Sequence, residues 1–108
     1  MTKGWVERGA GGELRLAGVL DYESGPALRK QGQALIQQNK GECVRVDCSS
    51  VEKSSSVGLS LLLAFSRDAQ KQGDDVVITG LPAEMRELAR VSGLLDVLVL
   101  ADEAEGAV

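Results

Sequence analysis

The sequence predicts one α/β domain built on a mixed β-sheet with three to four helices. Three observations predict it. Strand-like and helix-like segments alternate after an opening pair of strands. Hydrophobic residues make up 44% of the chain but aromatics only 3%, so Leu, Val and Ala must fill the core. Such a core suits helices laid on a sheet better than a small aromatic-rich barrel. The length, 108 residues, is that of one ordinary domain, and neither a repeat nor a linker divides it.

The elements follow in order. "KGWVERG" (3–9) and "ELRLAGVL" (13–20) read as two short strands, and Gly9-Ala10-Gly11-Gly12 between them reads as a hairpin turn. In "DYESGP" (21–26), Ser24 is placed to cap a helix, Pro26 suits its first turn, and Glu23 adds negative charge at the positive end of the dipole. That helix is expected to run to about Gln38, with Leu28, Ala34 and Leu35 on its apolar face. Asn39 or Gly41 would supply a left-handed stop. "ECVRVD" (42–47) alternates as a strand, with Val44, Val46 and Cys48 on one face and Cys43, Arg45 and Asp47 on the other. A loop, "SSVEKSSS" (49–56), then leads into a helix over 57–72. The first half of that helix is apolar nearly all round and the second half polar, which predicts an N-terminal half buried between the sheet and a further surface. "DVVITG" (75–80) is a continuous apolar strand, expected at the centre of a covered sheet. Pro82 opens a third helix in which Met85, Leu88, Ala89 and Ser92 share a face, and Gly93 ends it. A last short strand is expected near 97–100, giving a domain over 1–100. Residues 101–108 would form an acidic, mobile tail.

Composition excludes several functions. The formal net charge is -4, and Asp102, Glu103 and Glu105 carry three of those charges, leaving a near-neutral body with no Lys/Arg block. Binding to a phosphate backbone is therefore not the expected task. Histidine is absent, which removes the commonest general base and transition-metal ligand. Cys43 and Cys48 are too few for a thiolate-rich metal site and five positions apart, so on one strand they point to opposite faces. Two buried, reduced cysteines are the expectation. The chain carries no phosphate-binding loop of the Gly-x-x-x-x-Gly-Lys-Ser/Thr type, so it is not expected to hydrolyse ATP itself. It opens on no signal peptide, and no apolar run approaches the roughly 20 residues of a membrane span. A cytoplasmic, non-catalytic binding module without cofactor or metal is expected.

The segment that asks for an explanation is "SSSVGLS" (54–60), three hydroxyl residues ahead of an apolar run. One cap needs one serine, Ser55 or Ser56, with Gly58 allowing close packing. The remaining hydroxyls fit three uses: an anion site at a helix N-terminus, a phosphorylation site favoured by the dipole, or a flat patch of small side chains where a partner approaches the backbone.

Order and motif together resemble the STAS domain family, named for sulfate transporters and anti-sigma-factor antagonists. "LAGVLD" (16–21), "VRVDCSSVEKSSSVGLSLLL" (44–63) and "RVSGLLDVL" (90–98) carry the likeness. The resemblance places the family's regulatory hydroxyl on Ser56, a possible phosphorylation site, and its conserved aspartate on Asp21, in a supporting position. Ser55 stands where the family has an aspartate, which counts against kinase-driven regulation. Within the family, the short chain and "DAQKQG" (68–73) look most like the MlaB-type subunits of Gram-negative phospholipid ABC transporters. That implies a regulatory subunit at the cytoplasmic side of the inner membrane, in intermembrane lipid transport and outer-membrane lipid asymmetry. It would bind the ATPase subunit, and through it the permease, by Ser54, Ser55, Ser56, Val57, Gly58 and Leu59. The alternative implied is an anti-sigma-factor antagonist switched by phosphate on Ser56; a small-molecule sensor is a third class.

Overall fold

In a computed structural model, residues 3–95 and 98 are described. Strand β1 (Trp5–Arg8) and strand β2 (Leu14–Leu20) form the opening antiparallel hairpin, with Trp5 opposite Ala17 and Arg8 opposite Leu14. Helix α1 (Gly25–Gln38) leads to β3 (Val44–Ser54), helix α2 (Ser56–Lys71) to β4 (Val76–Thr79), and helix α3 (Ala83–Val91) follows. The sheet order is β1-β2-β3-β4, with β2, β3 and β4 parallel. Strands joined through helices become parallel because a helical crossover returns the chain to the same end of the sheet. The expected mixed sheet with three helices is thus what forms.

One face of the sheet is covered. Val44, Val46 and Cys48 of β3 and Val76 and Ile78 of β4 are buried, while Arg45 between them is exposed. Helix α1 lies over β1 and β2, α2 over β3 and β4, and α3 beside α2. The two larger helices approach closely because Gly32 of α1 has no side chain. A Cβ there would lie 2.3 Å from Cε1 of Phe65, the fully buried ring at the centre of the core.

Several details depart from the expectation. Strand β3 runs on through Ser54, so most of the expected loop is strand. From Leu14↔Val46 to Leu20↔Ser54, β3 spends two more residues than β2, one at each of two register shifts. These are bulges, which bend a strand and break its alternation, and that is why the segment read as loop. Strand β4 is an outer strand of the described sheet rather than its centre. The strand expected near 97–100 and the acidic tail lie outside the described residues, apart from buried Leu98. In α1, Gly32 and Ile36 are buried with Leu28, whereas Ala34 is exposed. Gly41 (φ +98°) rather than Asn39 (φ -102°) takes the left-handed conformation after it. Cys48 is buried but Cys43, one residue before the strand begins, is exposed, and neither is in a disulfide.

Candidate partner-binding site

The serine run sits where β3 delivers the chain to α2, at the carboxyl ends of β2 and β3, the edge at which open α/β sheets place their sites. The three hydroxyls have three different tasks. Ser54, half-buried, donates its Oγ hydrogen to the Ser55 carbonyl at 2.7 Å. Ser55 is the N-cap of α2 in extended conformation, and its Oγ accepts from the Val57 N–H at 3.2 Å. Its own N–H donates to the Leu20 carbonyl at 3.2 Å, tying the joint to the end of β2. Ser56 opens the helix and is exposed. Among the described residues its hydroxyl takes no hydrogen-bond partner, while its carbonyl accepts from Ser60 Oγ at 3.3 Å.

The rest of the expected segment divides by burial. Val57 is half-buried and packs toward Gly25 at the start of α1. Gly58 and Leu59 are buried, so they support the segment from below rather than line its surface. A Cβ on Gly58 would meet Ser54 Oγ at 2.0 Å and Met85 Cε at 3.0 Å; the glycine is what lets the joint seat against α3.

Asp21 stands beside this joint. A shallow hollow is lined by Val19, Leu20, Asp21, Lys53, Ser54 and Ser55, so the structure brings the expected supporting aspartate to the serine run. Its carboxylate, however, is turned to its own chain. Oδ1 accepts from the Ser24 and Glu23 N–H groups, each at 3.0 Å, and from Ser24 Oγ at 3.2 Å. These bonds hold the Asp21 carboxyl below the ordinary aspartate range, the Ser24 N–H contributing most, with help from the Ser24 hydroxyl, the Glu23 N–H and the charge of Lys3. Ser24 Oγ accepts in return from the Asp21 N–H at 3.2 Å. This is a reciprocal cap of the capping-box kind, and Ser24 itself makes no side-chain cap to α1. The cap expected at Ser24 belongs to Asp21.

Two features escaped the sequence reading. Tyr22 is 81% exposed at the mouth of a groove between α1 and α2 whose walls include Pro26, Arg29, Val57, Ser60 and Ala64. Its signal was faint: one tyrosine in a turn, outside any apolar period. The second is Asp68, placed by pattern on the polar half of α2 yet only 7% exposed. It is paired at two points with Arg29 of α1, Nη1 to Oδ2 and Nη2 to Oδ1, the latter at 3.2 Å. Among the described residues no helix is long and apolar enough to cross a membrane, and no cluster of three His, Cys, Asp or Glu could hold a metal ion.

Comparison with known proteins agrees with this geometry. A family model described as "Mlab, STAS domain" matches residues 5–100. The anti-sigma-B factor antagonist of Bacillus subtilis (strain 168) is 27% identical over 96 residues, 89% of this chain and 86% of that protein. Among solved structures, a chain of the Acinetobacter MlaFEDB complex in its ATP-bound Vtrans2 conformation superposes with a TM-score of 0.79 at 20% identity, covering 90% of this chain and 99% of that one. An anti-sigma factor antagonist from Mycobacterium paratuberculosis superposes with a TM-score of 0.73 at 25% identity, covering 98% and 92%. With the mixed sheet in 1-2-3-4 order, a hydroxyl at the head of α2 and a family match across nearly its whole length, the chain belongs to the STAS domain family, in the branch described as Mlab.

Proposed function

We propose that the chain is a non-catalytic subunit of a phospholipid ABC transporter that docks on the ATPase subunit through the Ser54–Leu59 joint. In that role it supports assembly and activity of a complex at the cytoplasmic side of the inner membrane, and reaches the permease through the ATPase. The observation that carries the reading is the Ser56 hydroxyl. It faces outward from a joint whose backbone is fixed by Ser54, Ser55 and Leu20, and the side chains around it are small enough for a partner to approach the helix start. Nothing there equips Ser56 as a nucleophile: the chain has no histidine, and the adjacent Asp21 carboxylate is occupied by its own turn. The Mlab description of the family model and the fold shared with a chain of an ATP-bound transporter complex support the same reading.

Co-purification tests it. The tagged chain, expressed at native level and recovered from gently solubilised membranes, brings down an ATPase and a permease in fixed ratio. Ser56→Arg weakens ATPase binding by at least about tenfold and leaves the melting curve unchanged; normal affinity in a folded variant refutes the docking role.

One observation favours a second reading, that of an anti-sigma-factor antagonist. Ser56 is the first residue of α2, where the helix dipole stabilises an added phosphate, and an antagonist is the 27% identical relative. Ser55, which replaces the family's aspartate, weighs against it. Under this reading a soluble kinase-like protein co-purifies and adds one phosphate at Ser56.

A further inference from the structure

The first of the two bulges in β3 is held from two sides. Between the pairs Arg15↔Asp47 and Ala17↔Ser50, β2 contributes Leu16 alone while β3 contributes Cys48 and Ser49. Cys48 is turned into the core and Ser49 is exposed. A bulge disrupts the ladder around its extra residue. Here the carboxylate of Asp47 takes the Ser49 donors: Oδ1 accepts from the Ser49 N–H at 2.9 Å and from the Ser49 Oγ at 2.7 Å.

Gly80 meets the same residue from β4. That strand ends at Thr79, the partner of Asp47, and Gly80 turns away with φ +65°. A Cβ on Gly80 would lie 2.8 Å from the Ser49 Cβ and 2.9 Å from its backbone nitrogen. Left-handed φ and close approach both call for glycine there, and the turn after β4 rests on the bulge itself.

What the bulge controls lies downstream. Without it, and with the second register shift kept, Leu20 would face Lys53 instead of Ser54. Side chains from Ser50 to Ser54 would then change face. The bond from the Ser55 N–H to the Leu20 carbonyl, which ties the joint to β2, would be lost.

We infer that Asp47 and Gly80 are positioning residues for the serine joint. By fixing the bulge at Ser49 they set the register in which β3 arrives at α2, and with it the outward direction of Ser56. Both act through the bulge, and neither belongs to the Ser54–Leu59 segment. Their effect on affinity rests on the docking reading above.

Three variants of the full-length chain test the inference. Asp47→Ala removes the acceptor. Asp47→Asn keeps an oxygen for both Ser49 donors. Gly80→Ala presses on the bulge with Asp47 in place, and carries the same test if Asp47→Ala does not fold. Amide exchange at Ser55, read by NMR against Ile36 in α1, reports on the joint alone. In the two alanine variants Ser55 exchanges at least about tenfold faster relative to Ile36. Their binding to the purified ATPase subunit weakens by at least about fivefold as the competent fraction falls. Asp47→Asn stays within about twofold of wild type in both measurements. Exchange that quickens equally at Ser55 and Ile36 is a general loss of stability and overturns the inference, as does an unchanged Ser55 amide in the folded alanine variants. Normal affinity in those variants, with Ser56→Arg defective, overturns it too. Normal affinity in Ser56→Arg sinks the docking reading alone, because the exchange result needs no partner and still decides whether Asp47 and Gly80 position the joint.

Discussion

At the scale of single residues, Asp21 shows how a position beside the serine joint is held by its own turn. Its carboxylate is stabilised as the anion, so its folded pKa lies below the unfolded one. Its contribution to stability is therefore complete above the ordinary aspartate value, about 3.9. It is lost as pH falls through the lower folded value. Asp21→Asn keeps an oxygen to accept from the Ser24 and Glu23 amides but cannot titrate. The expected outcome is a lower melting temperature for the variant at pH 7 and a gap to wild type that closes in acid; thermal melts from pH 7 down to pH 3 measure it. A gap that is constant over that range contradicts the account. The reciprocal cap was not legible in "DYES" because aspartate and serine are both good caps three positions apart, and only the backbone decides which of them leads. Ser55, by contrast, was legible as a candidate cap, since a hydroxyl directly before an apolar helical run has few other local uses.

Between elements, the closest approach is that of α1 and α2 at Gly32 and Phe65. Gly32→Ala gains helix propensity of about 1 kcal/mol. It also drives a methyl group to within 2.4 Å of both Cε1 and Cζ of a fully buried ring, an overpacking that costs about 1–3 kcal/mol. Clash outweighs propensity because the ring, enclosed on all sides, has nowhere to turn. The expected result is a net loss of stability in urea titration, partly recovered by Phe65→Leu in the same chain; a stabilised Gly32→Ala would show that the helices can separate freely. The helices themselves were readable from Pro26, Gly41, Pro82 and Gly93, which punctuate the chain at their ends. The full length of β3 was not. Its second half, Ser49–Ser54, carries polar residues on both faces and two bulges, so no period of two survives to announce a strand.

For the molecule as a whole, the layer of helices over one face of the sheet is locked by a polar pair as well as by its core. Arg29 and Asp68 lie 39 positions apart and join α1 to α2. Arg29→Ala strands a buried carboxylate, and because the Arg29 side chain is 38% exposed, water reaches part of the vacated space. The loss is therefore about 1–3 kcal/mol rather than that of a fully enclosed pair. In a double-mutant cycle with Asp68→Ala, the combined loss falls short of the sum of the two single losses; strict additivity would deny the coupling. The fold class was readable from the alternation of elements alone, since helical connections dictate parallel neighbours. The groove between α1 and α2 was not, because its walls come from two helices whose close approach depends on Gly32, and nothing in the order of residues states which helices will touch.

The two extra residues of β3 carry a consequence for genetics. Deleting Ser49 or Ser50 leaves the net charge unchanged and keeps the Ser-Ser-Ser-Val-Gly-Leu string intact. Yet it removes the slack that lets β3 overtake β2, and the string then arrives half a pleat early, with its outward hydroxyl turned toward the interior. A scan of amino-acid replacements would pass over these two exposed serines as tolerant. The alleles expected to silence the proposed interface there are in-frame losses of one codon.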